Sequence, residues 1–398
     1  MRKILFLGGS YAQVPAIKRA KEKGYYVITA DYLPNNPGHF YSDEYYNVST
    51  TDKEAVLSLA TLLTIDGILA YASDPGAPTA AYVATILGLQ TSPLKSIEIL
   101  GKKHLWRKFL NENGFNVPKT QYGLNILDFN FKDWSFPLMV KPVDSSGSKG
   151  VIKINNQAEF EQAFYYAKSF SRNGIIIVEE FINKIGCQIG GDGFFGKDRL
   201  EFVCFGDQYV DFDVNPYVPS GMAFPSDIDS KYQKLIKDEI NRALTLLGVS
   251  NLSFNLEVMI DSKGCIYLME IGPRNGGNYI PQTIEYLTGI SLVDLALTAC
   301  LMEDSNLDNR KEIPKVSEGF GYYAIHSNRE GIFHSIEYRF SNEIEIIEEH
   351  LYLKEGCKIK PFNGSNHTIG ILILKFKTKD LMKVFYNNPS KYINIIYE

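Results

Sequence analysis

The chain has 398 residues, enough for two or three domains with a sizeable core. Its composition, 45% hydrophobic and 22% charged, is that of an ordinary globular protein, and a net charge of −5 argues against binding nucleic acid by phosphate neutralisation. No apolar stretch approaches the ~18 residues of a membrane span, and Ile4 to Leu7 runs at once into Gly8-Gly9, so no signal segment is expected and a cytoplasmic location is.

Residues 1–100 read as an open parallel α/β domain of Rossmann-like type. Ile4 to Leu7, Tyr26 to Ala30 and Gly67 to Tyr71 are expected strands, with helices over Val14 to Lys23 and Pro78 to Leu87. The first turn reads GGSYAQ and lacks the later glycines of a dinucleotide fingerprint, which disfavours an NAD-dependent oxidoreductase. Ser96 is expected to cap a helix carrying Lys102, Lys103 and Arg107 and ending at Gly114; its charges are read as a solvated face.

A smaller α+β unit follows over about 118–185. Phe136 to Val140 reads as a buried strand that delivers Lys141, with Pro142 ending its ladder. The run Ser145, Ser146, Gly147, Ser148, Lys149, Gly150 can wrap backbone N–H groups around an oligophosphate, because glycine permits φ > 0 and close approach. A helix over about Gln157 to Phe170 and a strand Ile175 to Val178 lead to Glu179, Glu180, Phe181 and Ile182. Two acids ending an apolar strand suit a linker that reads a purine edge, one acid taking the exocyclic amine or a ribose hydroxyl under apolar cover.

From Gly186 to Ile271 the pattern is mostly β, with one helix over Lys231 to Leu247. Strands around Asp261 to Gly264 form a hairpin in which an even turn pairs Glu257 with Leu268 and Asn255 with Glu270. Glu257 and Glu270 are then diagonal neighbours roughly 7 Å apart on one face, where a divalent cation with oxygen ligands would relieve their repulsion. Arg274 follows on a glycine-rich turn, placed to meet phosphate or carboxylate oxygens bidentately. Residues 305–398 open with a polar connector and continue with strands such as Gly319 to His326 and Ile369 to Phe376. His326, His334 and His367 are read there as structural. Five widely spaced cysteines without a CxxC pair indicate reduced thiols.

Over roughly residues 1–300 this order of pieces resembles the ATP-grasp superfamily, in particular its carboxylate–amine ligases and carbamoyl-phosphate-synthase-like members. The resemblance implies a pre-ATP-grasp domain over 1–100, a two-lobed ATP-grasp domain over 101–304 with its lid at about 118–185, and a C-terminal β-rich domain over 305–398. Lys103, eleven residues before Gly114, matches a phosphate-contacting lysine, and Lys141 the second. Ser146 and Gly147 lie in the loop that closes over the phosphates. Glu179, Glu180, Phe181 and Ile182 match the adenine-holding linker, and Gln188 stands where a glutamate usually meets the ribose. Glu257 and Glu270 match the magnesium-binding acids, with manganese an acceptable substitute. Lys141 and Arg274 are the implied catalytic cations. Gly272 stands where the family usually has an asparagine ligand, for which Asn275, Asn255 or a water could substitute. The implied activity is ATP-dependent activation of a small-molecule carboxylate as an acyl-phosphate and its joining to an amine. The alternative is a regulatory ATP-binding protein without turnover. The C-terminal β-rich segment is a candidate surface for a homodimer, with no nucleic acid or membrane as partner.

Overall fold

Four strands, all parallel, build the N-terminal sheet in the order Glu44–Tyr46, Tyr26–Ala30, Lys3–Leu7, Gly67–Leu69. The structure, a computed structural model, describes residues 1–303 and 317–398. The strand expected to reach Tyr71 stops at Leu69, and Glu44–Tyr46 is a short edge strand that its three polar and aromatic residues did not announce. The helices Val14–Glu22, Lys53–Leu63 and Ala77–Leu87 cover the sheet. Asp52 caps the second by accepting from the Ala55 N–H at 3.1 Å. A further helix, Leu292–Cys300, comes from much later in the chain. Its Val293 and Leu297 join Ile4, Phe6 and Tyr71 in one buried cluster, so apolar contact fastens the N-terminal sheet to this late helix.

The helix expected to start at Ser96 and run through Arg107 is two helices, Leu94–Leu100 and Lys103–Glu112, broken at Gly101-Lys102. Ser96 is buried inside the first and donates to the Leu247 carbonyl at 2.6 Å instead of capping. The break makes Lys103 the first residue of the second helix, and its N–H donates to the Val143 carbonyl at 3.0 Å. That bond ties the helix to the strand that carries Lys141.

The smaller α+β unit is a four-stranded antiparallel sheet in the order Thr120–Gly123, Ile176–Glu180, Leu138–Pro142, Ile152–Ile154. Phe131, Phe160 and Phe164 fill its core against Val140 and Val178. Pro142 remains paired, opposite Ile176, so the ladder runs one residue further than proline's missing donor suggested. The strand expected to end at Val178 continues to Glu180.

A second, eight-stranded sheet runs Ile266–Gly272, Leu252–Ile260, Gln188–Phe195, Leu200–Asp211, Asn215–Phe224, Gly319–Ile325, Gly370–Phe376, Ile344–Leu351. Helix Ser230–Leu246, capped by Asp229, packs Ile236 and Ile240 against Trp106, Phe205 and Phe254 on one face. The last three strands belong to the β-rich C-terminal region and extend this same sheet, Gly221 pairing with Tyr323. The polar connector expected at 305–319 lies mostly outside the described residues. All five cysteines are free thiols. Among the described residues no single helix is long and apolar enough to cross a membrane.

Candidate active site

The hairpin that carries Glu257 and Glu270 has a different register from the one its turn length suggested. Ile260 pairs with Ile266 and Val258 with Leu268, and then Glu257 pairs directly with Glu270 and Asn255 with Gly272. Two shifts make the difference: Ile260 faces Ile266 rather than Cys265, and a β-bulge makes Met269 an extra residue on its strand, so Glu270 advances two places in all. The two acids are therefore directly opposite rather than diagonal, and on the same face. Without the bulge, one of them would have turned away or slipped along the strand.

Cations surround the pair. Lys103 Nζ lies 3.0 Å from Glu270 Oε2 and donates to the Ser145 carbonyl at 3.1 Å, which joins the acids to the serine-rich loop. Burial alone would lower the Lys103 pKa, but Glu270, with Glu257 and Asp74 behind it, holds it above the ordinary lysine value. Gln188 Nε2 donates to Glu257 Oε2 at 2.8 Å, so its amide faces the acid pair. Burial, with Glu270 next to it, pushes Glu257 up to about 7. Two facing carboxylates that resist joint ionisation, with only oxygen donors between them, fit a hard divalent ion such as magnesium or manganese.

Lys141 Nζ meets Glu179 Oε2 at 2.6 Å, and Arg107 Nε meets Glu179 Oε1 at 2.7 Å. Glu179 is 1% exposed. Burial opposes its ionisation, but Arg107 and Lys141 outweigh burial and hold it down to about 2. Its carboxylate is thus committed to two cations. Glu180, the other acid at the end of this strand, is only half-buried. Lys153 Nζ sits 4.2 Å from the Phe181 ring centroid.

The serine-rich loop has the predicted left-handed residues, Gly147 at φ 65° and Gly150 at φ 75°, with Ser148 at 56° between them. Lys103, Lys141, Ser146, Gly147, Glu179, Glu180, Phe181, Ile182, Gln188, Glu257 and Glu270 all line one cleft of about 1210 Å³. Arg274 lies next to this cleft, close enough for its charge to act on Glu257 and Glu270. It borders a smaller cavity of about 90 Å³ beneath the N-terminal domain, and its Nη2 pairs with Asp74 Oδ2 at 2.7 Å. Burial would raise the Asp74 pKa, yet Arg274 holds it below the ordinary value, and the Ser146 hydroxyl also faces that carboxylate. A Cβ on Gly272 would lie 3.2 Å from Arg274 Cζ and 3.3 Å from Asp74 Oδ1. The ion pair fills the space into which an asparagine at 272 would project.

Asp192 escaped the sequence reading. It is fully buried in strand Gln188–Phe195 and accepts from Asn255 Nδ2 at 2.8 Å and from the Gly276 N–H at 2.7 Å. Burial pushes its carboxyl up to about 6. Asn255 is therefore engaged by Asp192, and Asn275 Nδ2 also reaches it at 3.4 Å. This knot anchors the Arg274 turn. A Cβ on Gly276 would come within 2.7 Å of Asp192 Oδ1 and 3.0 Å of Asn255 Nδ2, so Gly276→Ala should displace the turn and cost ~1–3 kcal/mol, read as a lowered urea midpoint. An unchanged midpoint would show that the knot is loose. His326 pairs with Asp211 at 3.0 Å and His334 with Glu355 at 2.6 Å, while His367 Nδ1 contacts the Pro361 carbonyl at 2.8 Å.

The smaller antiparallel sheet and the broad sheet thus bring lysines and paired acids to one cleft. A family model described as an ATP-grasp domain matches residues 134–282. Over that stretch, somewhat more than a third of its length, the chain is similar to the ATP-grasp family. A D-alanine–D-alanine ligase of Prochlorococcus marinus (strain MIT 9215) is 31% identical over 150 residues, covering 36% of this chain and 41% of that protein. A formate-dependent phosphoribosylglycinamide formyltransferase of Burkholderia pseudomallei (strain 668) is 25% identical over 287 residues, or 68% of this chain and 69% of that one. The chain spans about two fifths of the length of the first curated relatives it matches. The crystal structure of an L-amino acid ligase from Bacillus licheniformis superposes with a TM-score of 0.83 at 21% identity, covering 100% of this chain and 99% of the other, which shows a shared fold.

Proposed function

We propose that the protein is an ATP-dependent carboxylate–amine ligase acting on small molecules in the cytoplasm. The observation that carries this reading is the convergence of Lys103, Lys141, the serine-rich loop and the Glu257–Glu270 pair on one cleft. ATP would lie with its adenine along Glu180, Phe181 and Ile182, and its phosphates under Ser145–Gly150. Lys103 and Lys141 then exchange their carboxylate partners for phosphate oxygens. A divalent ion between Glu257 and Glu270 would supply further neutralisation of those oxygens.

A carboxylate oxygen of the first substrate attacks the γ-phosphorus, and the bond to the β-bridging oxygen breaks to release ADP. The amine nitrogen then attacks the acyl carbon. The C–O bond to phosphate breaks with its electron pair, inorganic phosphate leaves, and the nitrogen loses a proton to give the amide. Arg274 steadies the transferred phosphoryl oxygens through its fork of donors, after partial release from Asp74. Closure of the serine-rich loop keeps water from the acyl-phosphate. Relatives named D-alanine–D-alanine ligase and L-amino acid ligase support small carboxylate and amine substrates.

Incubation with Mg-ATP and pooled carboxylates and amines should give ADP only when carboxylates are present, and an amide product identifiable by mass only when both pools are. ADP release indifferent to both pools would sink the ligase reading. The crowding of Gly272 by Arg274 and Asp74 favours one alternative, an ATP-binding protein without turnover. Tight ATP binding with no ADP formed in any pool would establish it.

A further inference from the structure

The helical pattern puts Arg107 on a solvated face, and the proposed reaction gives it no part. It is nevertheless 3% exposed, and its guanidinium bridges three elements. Nε donates to Glu179 on the linker strand at 2.7 Å, and Nη1 donates to the Met269 carbonyl at 2.7 Å. Through its other oxygen, the same Glu179 carboxylate accepts from Lys141 at 2.6 Å. Met269 is the bulge residue whose insertion brings Glu270 opposite Glu257. The helix that presents Arg107 begins at Lys103, the lysine paired with Glu270.

We propose that Arg107 is a positioning residue that couples the paired acids to the adenine-holding linker, so that occupation of either is felt at the other. This rests on the ATP reading above. The guanidinium is planar, with donors fixed in a fork, so its two bonds cannot be adjusted independently. A shift of the bulge when Glu270 turns from Lys103 toward a metal ion changes the Met269 carbonyl. The guanidinium carries that change to Glu179, and Glu179 carries it to Lys141. Because the pair is buried, letting go at either end would strand a charge away from water. Lysine at 107 is a single point donor on a flexible stem and cannot hold Glu179 and the Met269 carbonyl in one rigid geometry.

Adenosine and Mn²⁺ isolate this coupling, because adenosine has no phosphate through which a metal could touch it directly. Calorimetric titration of adenosine into the full chain, with and without Mn²⁺, gives the coupling factor, and the reverse titration must give the same factor. The native protein should show a change in adenosine affinity of roughly 5-fold or more. In Arg107→Lys each ligand should still bind, with the factor close to one. Glu179→Gln cuts the same connection at its other end and serves if the lysine variant does not fold. Native coupling persisting in a folded variant, even one with a lowered melting temperature, would overturn the proposal. No coupling in the native protein would also overturn it, and that measurement needs no variant. Failure of adenosine to bind the native protein at all would remove the ATP reading and this inference together, whereas binding without coupling removes only this inference.

Discussion

Glu270→Gln is expected to reduce carboxylate-stimulated ADP release by at least ~10²-fold while leaving the circular dichroism melt close to native. The carboxamide is isosteric but carries no charge, so the cleft loses half of its anionic pair. Glu257 would then face a neutral group, and Lys103 would lose its partner at 3.0 Å. The hairpin itself is held by backbone pairing and the Met269 bulge, neither of which depends on the Glu270 charge. A coupled ADP assay measures the first effect, and Mn²⁺ affinity by electron paramagnetic resonance should fall in parallel. ADP release within a few-fold of native would remove Glu270 from the chemistry. Lys141→Ala should be comparably inactive for a different reason, since Glu179 keeps Arg107 as its partner and the lid strand stays in place.

The second large effect falls on stability. Glu179→Gln is expected to cost ~3–5 kcal/mol at neutral pH, because Arg107 is left buried without its counter-charge. The acid limb of the stability curve should also change. In the folded chain the Glu179 carboxyl is held down from its ordinary 4.5 to about 2. A depressed carboxylate contributes stability that is complete above its unfolded value and is lost as pH falls through the folded one. The contribution is about 3 kcal/mol, and it disappears between roughly pH 4.5 and 2. Urea unfolding at a series of pH values should therefore show native stability falling through that window by about this amount more than the variant's does. Parallel curves for the two proteins would show that the carboxyl is not held by its cations.

Much of this site could be read from local pattern. Lys141 lies at the end of a short apolar run, the glycines of its loop sit at left-handed positions, and Glu257 and Glu270 stand on strands of clear alternation. Each of those signals is contained within ten residues or so. The register of the hairpin was not legible, since no glycine or proline marks Met269 as the extra residue, and an inserted bulge leaves the alternation on either side intact. Arg107 was missed because a charged residue on an amphipathic helix is usually solvated, and only the long-range approach of Glu179 and Met269 buries it. Asp192 carried a faint signal, a lone acid inside QIGGDGFF, a run otherwise fit for a buried strand. The strands of the C-terminal region were visible as strands. Their continuation of the central sheet was not, because pairing across a hundred residues leaves no periodic trace.

That continuation bears on how the molecule comes into being. Strand Asn215–Phe224 waits for Gly319–Ile325 as its outer neighbour, and the latter for Gly370–Phe376. A nascent chain with only its first three hundred residues outside the ribosome holds the lysines and paired acids of the cleft, though not Arg329, and leaves Gly221 to Phe224 without their strand partner. The partly made protein is thus expected to be most prone to self-association in the interval before those later strands emerge.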